Sequence, residues 1–236
     1  MATILLIETA TEVCSVGLSV NGRVTAAAED PPPAKHAAHL TLLIRDCLQQ
    51  AGSTLAELDA VAVSSGPGSY TGLRVGASVA KGICYTLSKP LIAVNTLDAL
   101  AAGMRSAQAE SGEDVLFMPM LDARRQEVWT AVYDHRLRRL TPPEVLILEN
   151  NLFSFLEKKT GISAGVKRLI LGGNGSVKVE KGVNLSYPVI FSVMQCAAAY
   201  LSEIAEEKFK NDDFEDVVYF EPFYMKPPNI TASKKI

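Results

Sequence analysis

The sequence predicts an α/β protein of two related lobes, each a mixed sheet flanked by helices. Three observations carry that expectation. The order three strands, helix, strand, glycine turn, helix runs through the chain twice. Asn21-Gly22 sits between two apolar runs and marks a hairpin, because a tight type I′ turn needs φ > 0 at both central residues. The 236 residues, 48% apolar and 21% charged, can bury roughly 70–75% of the unfolded surface, enough for a core without staples.

The elements follow in order. "TILLIET", "EVCSVGLSV" and "RVTAAAE" are three consecutive strands, and Pro31 to Pro33 break the chain into a loop. A helix is expected from His36 to Ala51, since Leu40, Leu43, Ile44, Cys47, Leu48 and Ala51 recur at helical spacing and Gly52 ends it. Leu58 to Ser64 is a fourth strand, "SSGPGSYTGLRVG" a glycine turn, and Thr71 to Leu87 a second helix. "PLIAVNT" is a fifth strand, after which Asn95 with Asp98 caps the helix that begins "LDALAAGM". The lobes divide near Gly103, giving an N-terminal lobe of residues 1–103 and a C-terminal lobe of residues 104–236.

In the second lobe "DVLFMPMLDA" and "QEVWTAVYD" read as paired strands, with a third near Leu137 to Leu140. A helix is expected over Leu152 to Lys159, then a strand in "VKRLILGGNG". Ser192 and Gln195 form a capping box for a helix from Val193 to about Lys208. The run "EDVVYFEPFYM", within about 214–228, is expected to pack back on the first lobe, and "KPPNITASKKI" reads as a loose tail.

Bulk properties exclude several classes. A formal net charge of −3 gives no general attraction to nucleic acid. Cys14, Cys47, Cys84 and Cys196 are scattered in apolar surroundings without paired spacing, which argues for buried thiols in a reducing compartment. No basic leader precedes "ILLI" and no apolar run reaches the ~20 residues that cross a bilayer, so a soluble, cytoplasmic protein is expected.

The turn Gly66-Pro67-Gly68-Ser69-Tyr70-Thr71-Gly72 invites a phosphate-loop reading, but three such motifs miss. A P-loop needs lysine after its last glycine, and here Leu73 and Arg74 follow Gly72. The dinucleotide fingerprint has Thr71 in place of its third glycine, and a serine-hydrolase elbow has Pro67 and Thr71 where glycines belong. The helix beyond the turn is more informative. Gly72, Gly76 and Ala80 form a strip of small residues, Arg74, Ser78, Lys81 and Tyr85 a polar stripe, and Leu73, Val75, Val79 and Ile83 an apolar remainder. Such a helix is buried on more than one face. The strip either packs on its own sheet or receives a helix of another chain.

His36 and His39 are spaced i, i+3 without a third ligand residue nearby, so polar contacts are expected there and no metal. Glu8, ending the first strand, stands where an actin-like ATPase would keep its metal-directing acid, but "ETATEVCS" lacks the glycine that admits a phosphate. It reads as a vestigial nucleotide-site position. Asp122-Ala123-Arg124 suggests a structural ion pair where the lobes meet.

Taken together, "ILLIETATEVCSVGL", His36 opening an apolar helix, "SSGPGSYTGLRVGASVAKGI" and "MLDARRQEVW" resemble the TsaB family, also called YeaZ. The likeness covers roughly the first 135 residues in motif and the remainder in layout. It implies the duplicated actin/sugar-kinase/Hsp70-like (ribonuclease H-like) fold. It also implies a non-catalytic scaffold and activator subunit that pairs with a TsaD-like threonylcarbamoyltransferase and a TsaE-like ATPase. That machinery modifies the adenosine beside the anticodon of tRNA. The resemblance places pairing, and a competing self-dimer, on the first two helices, hence on His36, His39, Leu40, Leu43, Gly72, Leu73, Val75, Gly76, Val79, Ala80 and Ile83. An arginine at Gly76 is then expected to block pairing while the monomer stays folded. No cofactor of its own is implied; nucleotide is expected only at the junction with the partner, tRNA contact only indirectly, and no membrane. Glu8-Thr9-Ala10 departs from the family's usual Asp-Thr-Ser, which weakens an ATP site further. The alternative is an ATP-dependent small-molecule kinase of the same fold; a peptidase finds no triad.

Overall fold

The computed structural model describes residues 2–108, 115–148, 168–180, 189–192 and 194–226. Strand β1 (Thr3–Glu8) lies central in a five-stranded sheet. Strands β2 (Cys14–Val20) and β3 (Arg23–Asp30) add antiparallel on one side, and β4 (Ala60–Gly66) and β5 (Leu91–Asn95) parallel on the other. The run "TILLIE" is apolar at nearly every position because both of its faces are covered. Leu5 and Ile7 join Val61 and Val63 under helices α1 (His36–Ala51) and α2 (Tyr70–Leu87). Ile4 and Leu6, pointing the other way, join Ala60, Ala62, Ile92 and Val94. Asn21 and Gly22 both take positive φ, as the hairpin turn requires, and Gly52 closes α1 at φ 62°.

Helix α3 (Thr96–Ser106) lies between two sheets, and Asn95 caps it by accepting from Leu97 N. Ala99 packs on the first sheet, whereas Leu97, Leu100 and Met104 pack on the second. Gly103 therefore falls inside this shared helix, where the ring of Tyr200 lies 2.7 Å from the position of a Cβ.

The second sheet repeats the first. Strand β6 (Val115–Asp122) pairs antiparallel with β7 (Glu127–Thr130), which pairs antiparallel with β8 (Glu144–Ile147). On its other edge β6 pairs parallel with β9 (Arg168–Gly172), and β9 with β10 (Val189–Ser192). A short helix, α4 (Ser176–Glu180), follows β9.

Two expectations need correction here. The third strand of this lobe is β8, not residues 137–140, where Asp134 Oδ1 accepts from the backbone of Arg136 and Arg138 and winds the chain into a loop. Ser192 ends a strand instead of capping a helix. Residues 194–197 form no helix, Ala198 N donates to Ser15 Oγ on β2 at 2.8 Å, and helix begins only there. A 3₁₀ turn (Ala198–Leu201) leads into α5 (Ser202–Lys210), and Ala198, Leu201 and Ala205 cover the Ile4–Leu6 face of the first sheet. The helix expected over Leu152 to Lys159 lies outside the described residues.

Beyond α5 the chain stays on the first lobe as a strap. Glu215 N donates to Leu91 O, Lys81 Nζ donates to Val218 O and Phe220 O, and Phe223 N donates to Ser65 O at 2.7 Å. Lys226 then crosses to the second lobe, pairing with Glu127 and donating to Ala123 O.

Candidate functional site

The glycine turn links β4 to α2. Gly66 takes φ 105°, and Ser69 caps the helix by accepting from Gly72 N while its own N–H donates to Ala10 O at 2.7 Å. The turn therefore rests on the β1–β2 connection of the same lobe. A Cβ on Gly72 would stand 2.1 Å from Thr9 O, and one on Gly76 2.3 Å from Thr9 Oγ1. This corrects the reading in which another chain's helix meets the small-residue strip: the chain's own Thr9 already fills it. An arginine at Gly76 would break the lobe itself, not merely a surface. Gly68 meets Ala10 in the same way, and Pro67 is buried.

Of the residues assigned to pairing, Leu40, Gly72, Leu73, Gly76 and Ala80 are buried within their own lobe, and His36, His39, Leu43, Val75, Val79 and Ile83 are half-buried. Outward faces of the two helices carry other residues, among them Leu42, Arg74, Ser78, Gly82 and Tyr85. His36 Nε2 donates to Val13 O and His39 Nδ1 to Asp30 Oδ2 at 2.7 Å, so the two rings diverge. Among the described residues no three His, Cys, Asp or Glu side chains gather as a metal site. The four cysteines are free and buried; burial pushes the Cys14 thiol up to about 12 and Cys84 to about 11. Among the described residues no helix is long and apolar enough to cross a membrane.

Glu8 is fully buried under the turn. Oε1 accepts from Ala10 N at 2.6 Å, and Oε2 has no hydrogen-bond partner. Burial pushes its carboxyl up to about 7 against the opposing pull of the Ala10 N–H. Thr9 Oγ1 is a second buried polar atom without a partner.

Above this floor a cleft of about 670 Å³ opens between the lobes. Thr11, Glu12, His36 and the start of α2 line one wall, and Asp122 to Arg125, Glu127 and Trp129 the other, with the strap's Tyr224 to Lys226 at the edge. Asp122 Oδ1 accepts from Arg124 N and from Lys178 Nζ, both at 2.6 Å, while Asn174 Oδ1 accepts from Asp122 N. The ion pair of Asp122 is thus with Lys178 of its own lobe and not with the Arg124 side chain. Arg74 donates to Tyr224 OH and stacks over the Tyr70 ring at 4.4 Å, and Tyr70 packs on Tyr224 with centroids 4.8 Å apart. Sequence reasoning missed Arg125, Trp129, Tyr224 and Lys226. Only the adjacent Arg124-Arg125 pair carried a signal that could have drawn attention.

A twice-repeated sheet of the same strand order, with a helix between the copies and a cleft above it, defines a duplicated α/β protein of the actin, sugar-kinase and Hsp70-like class. An inorganic polyphosphate/ATP-glucomannokinase from Arthrobacter shares that fold, with a TM-score of 0.50 at 13% identity, 90% of this chain and 100% of that one being covered. The family model of TsaD, tRNA N6-adenosine threonylcarbamoyltransferase, matches residues 33–233. The tRNA threonylcarbamoyladenosine biosynthesis protein TsaB of Escherichia coli is 38% identical over 130 residues, 55% of this chain and 54% of that protein. The TsaB protein of Bacillus subtilis is 30% identical over 159 residues, covering 66% and 67%. The matched segment thus spans about half the length of the first relative and two thirds of the second. YeaZ from Pseudomonas aeruginosa superposes with a TM-score of 0.79 at 27% identity, covering 95% of this chain and 100% of that one. Within the group that the TsaD model defines, the chain belongs to the TsaB (YeaZ) family.

Proposed function

We infer that this chain takes part in tRNA threonylcarbamoyladenosine biosynthesis as a non-catalytic scaffold and activator of a TsaD-like transferase, in the cytoplasm. One observation supports the non-catalytic role above the rest. The acid at the nucleotide-site position, Glu8, is sealed beneath a turn in which Gly68 and Gly72 are met by the chain's own Ala10 and Thr9. A side chain with no path to the cleft cannot hold a metal or a phosphate there. The same burial weighs against the small-molecule kinase reading.

Pairing falls on the solvent-facing sides of α1 and α2, where the exposed Leu42, Arg74, Ser78 and Tyr85 flank the half-buried His36, His39, Leu43, Val75, Val79 and Ile83. The same faces serve a self-dimer when the transferase is absent, so the two assemblies compete. A TsaE-like ATPase joins the pair, nucleotide enters only at the subunit junction, and tRNA is contacted through the partner. Gel filtration with light scattering, on the protein alone and mixed with the TsaD-like subunit of its organism, tests the reading. A mixed complex is expected, lost in a Leu42→Glu/Ser78→Arg variant whose circular dichroism is unchanged. Both substitutions sit on exposed positions. No mixed complex, together with tight ATP binding by the isolated chain, would return the kinase reading.

A further inference from the structure

We propose that the end of the strap is a latch holding the two lobes together across the cleft, fastened from the outward face of α2 by Arg74. The strap leaves α5 on the first lobe and bridges to that lobe's sheet edge, where Glu215 N donates to Leu91 O. Phe220 is buried in the core beneath α1 and α2, and Val217 packs against it. At the glycine turn the strap is seated closely. A Cβ on Gly66 would stand 2.5 Å from Phe223 O, while Phe223 N donates to Ser65 O at 2.7 Å. The glycine at φ 105° therefore makes room for the strap as well as shaping the turn. The next residue, Tyr224, is clasped from α2. Arg74 Nε donates to its hydroxyl at 3.3 Å and lies over the Tyr70 ring, which itself packs on Tyr224. Two residues further, Lys226 reaches Glu127 and Ala123 O of the other lobe.

Position makes this contact a latch. The lobes share α3, which packs on both sheets, and the chain's return through Cys196 and Ala198 lies against the same helix. Both crossings sit at the floor, so rotation about them moves the cleft edge most, and Lys226 stands at that edge. Two residues of extended chain span at most about 7 Å, which leaves little slack between Tyr224 and Lys226. A half-exposed ion pair such as Lys226 with Glu127 holds weakly by itself. It holds the lobes here because the strap end is already fixed at Tyr224, so little freedom is lost in making it. Arg74 is exposed, and a contact made to it on α2 is passed through Tyr224 to the second lobe. The latch adds to the pairing reading, which puts a partner on that face. Its test uses the isolated chain and is decided whether or not a mixed complex forms.

Nitroxide labels on Thr71→Cys and Gln126→Cys read the width of the cleft by pulsed electron resonance. Thr71 is exposed on one wall, and Gln126 is exposed between Arg125 and Glu127 of the other. The four native cysteines are buried, so the labels go to the two new ones. The labelled chain is compared with its Lys226→Met, Arg74→Ala and Lys208→Met variants, each with unchanged circular dichroism. Lys208→Met is the control, since it cuts the ion pair with Asp213 at the start of the strap and leaves the latch intact. Lys226→Met should lengthen the mean label separation by several ångströms and broaden its distribution. Arg74→Ala should shift it in the same direction, and Lys208→Met should match the parent. A Lys226→Met chain with the parent's distribution overturns the latch. An Arg74→Ala chain that stays closed while Lys226→Met opens overturns the fastening by Arg74. Equal opening in all three variants would mean a strap that is merely loosened, and it overturns the proposal as well.

Discussion

Gly72 and Gly82 lie on the same helix, and alanine at each should move stability in opposite directions. A Cβ on Gly72 would stand 2.1 Å from Thr9 O. The atoms must separate by about 1.4 Å to reach the roughly 3.5 Å at which such contacts rest. The helix start cannot simply retreat, because Ser69 N is bound to Ala10 O on the same connection. Overpacking of this kind costs about 1–3 kcal/mol, and here the obstacle is backbone, so about 2–3 kcal/mol is expected. At Gly82 nothing lies within 4 Å of a Cβ, and the residue is exposed. Alanine there removes a glycine from a helix interior and should stabilise by about 0.5–1 kcal/mol. Urea unfolding followed by circular dichroism reads both changes; in a thermal scan each kcal/mol is worth about 2–4 °C at this chain length. A Gly72→Ala protein as stable as the parent, or a Gly82→Ala protein less stable, would refute the assignment of the strip to the interior.

Two further tests concern buried polar groups. Glu8 has a carboxyl raised from 4.5 to about 7 by burial, so the folded state holds a proton that the unfolded state gives up between those values. Stability should be full below about pH 4.5 and fall as pH rises to about 7, by about 3 kcal/mol. Glu8→Gln should flatten that slope in urea unfolding from pH 5 to 8, and identical slopes would count against a sealed carboxyl. Asp98 accepts from Tyr133 OH at 2.7 Å and from Arg139 Nη2 at 2.6 Å. Asp98→Ala should cost about 1–3 kcal/mol by orphaning a buried phenol, and Tyr133→Phe about 1 kcal/mol or less. Equal losses in denaturant unfolding would show that the phenol is not the group left in need.

The first lobe was legible because its signals are local. Asn21-Gly22 sets the hairpin, helical spacing and Gly52 bound α1 at both ends, and Asn95 caps α3. The second lobe depends on distant partners. Ser192 and Gln195 carry a capping pattern, yet the backbone there is claimed by β9 and then by Ser15, neither visible from neighbouring residues. The third strand expected near Leu137 to Leu140 fails because Asp134 coils that stretch locally. The glycine strip was rightly seen as a close approach. What approaches it, Thr9, is some sixty residues away in sequence, and no periodicity points to it. Cleft residues are the least legible because Arg125 and Trp129, both within "MLDARRQEVW", meet Tyr224 and Lys226 only when strap and second sheet are in place.

The cover that Ala198, Leu201 and Ala205 give the first sheet has a consequence for synthesis. Ile4, Leu6, Ala60, Ala62, Ile92 and Val94 are made early, and their lid comes about a hundred residues later. At about 5–20 residues per second, the emerging lobe waits about 5–20 s with that apolar face covered only in part, by Ala99 of α3. During that interval the nascent chain is a natural client for ribosome-associated chaperones, and a stall before Ala198 would leave a sticky half-product.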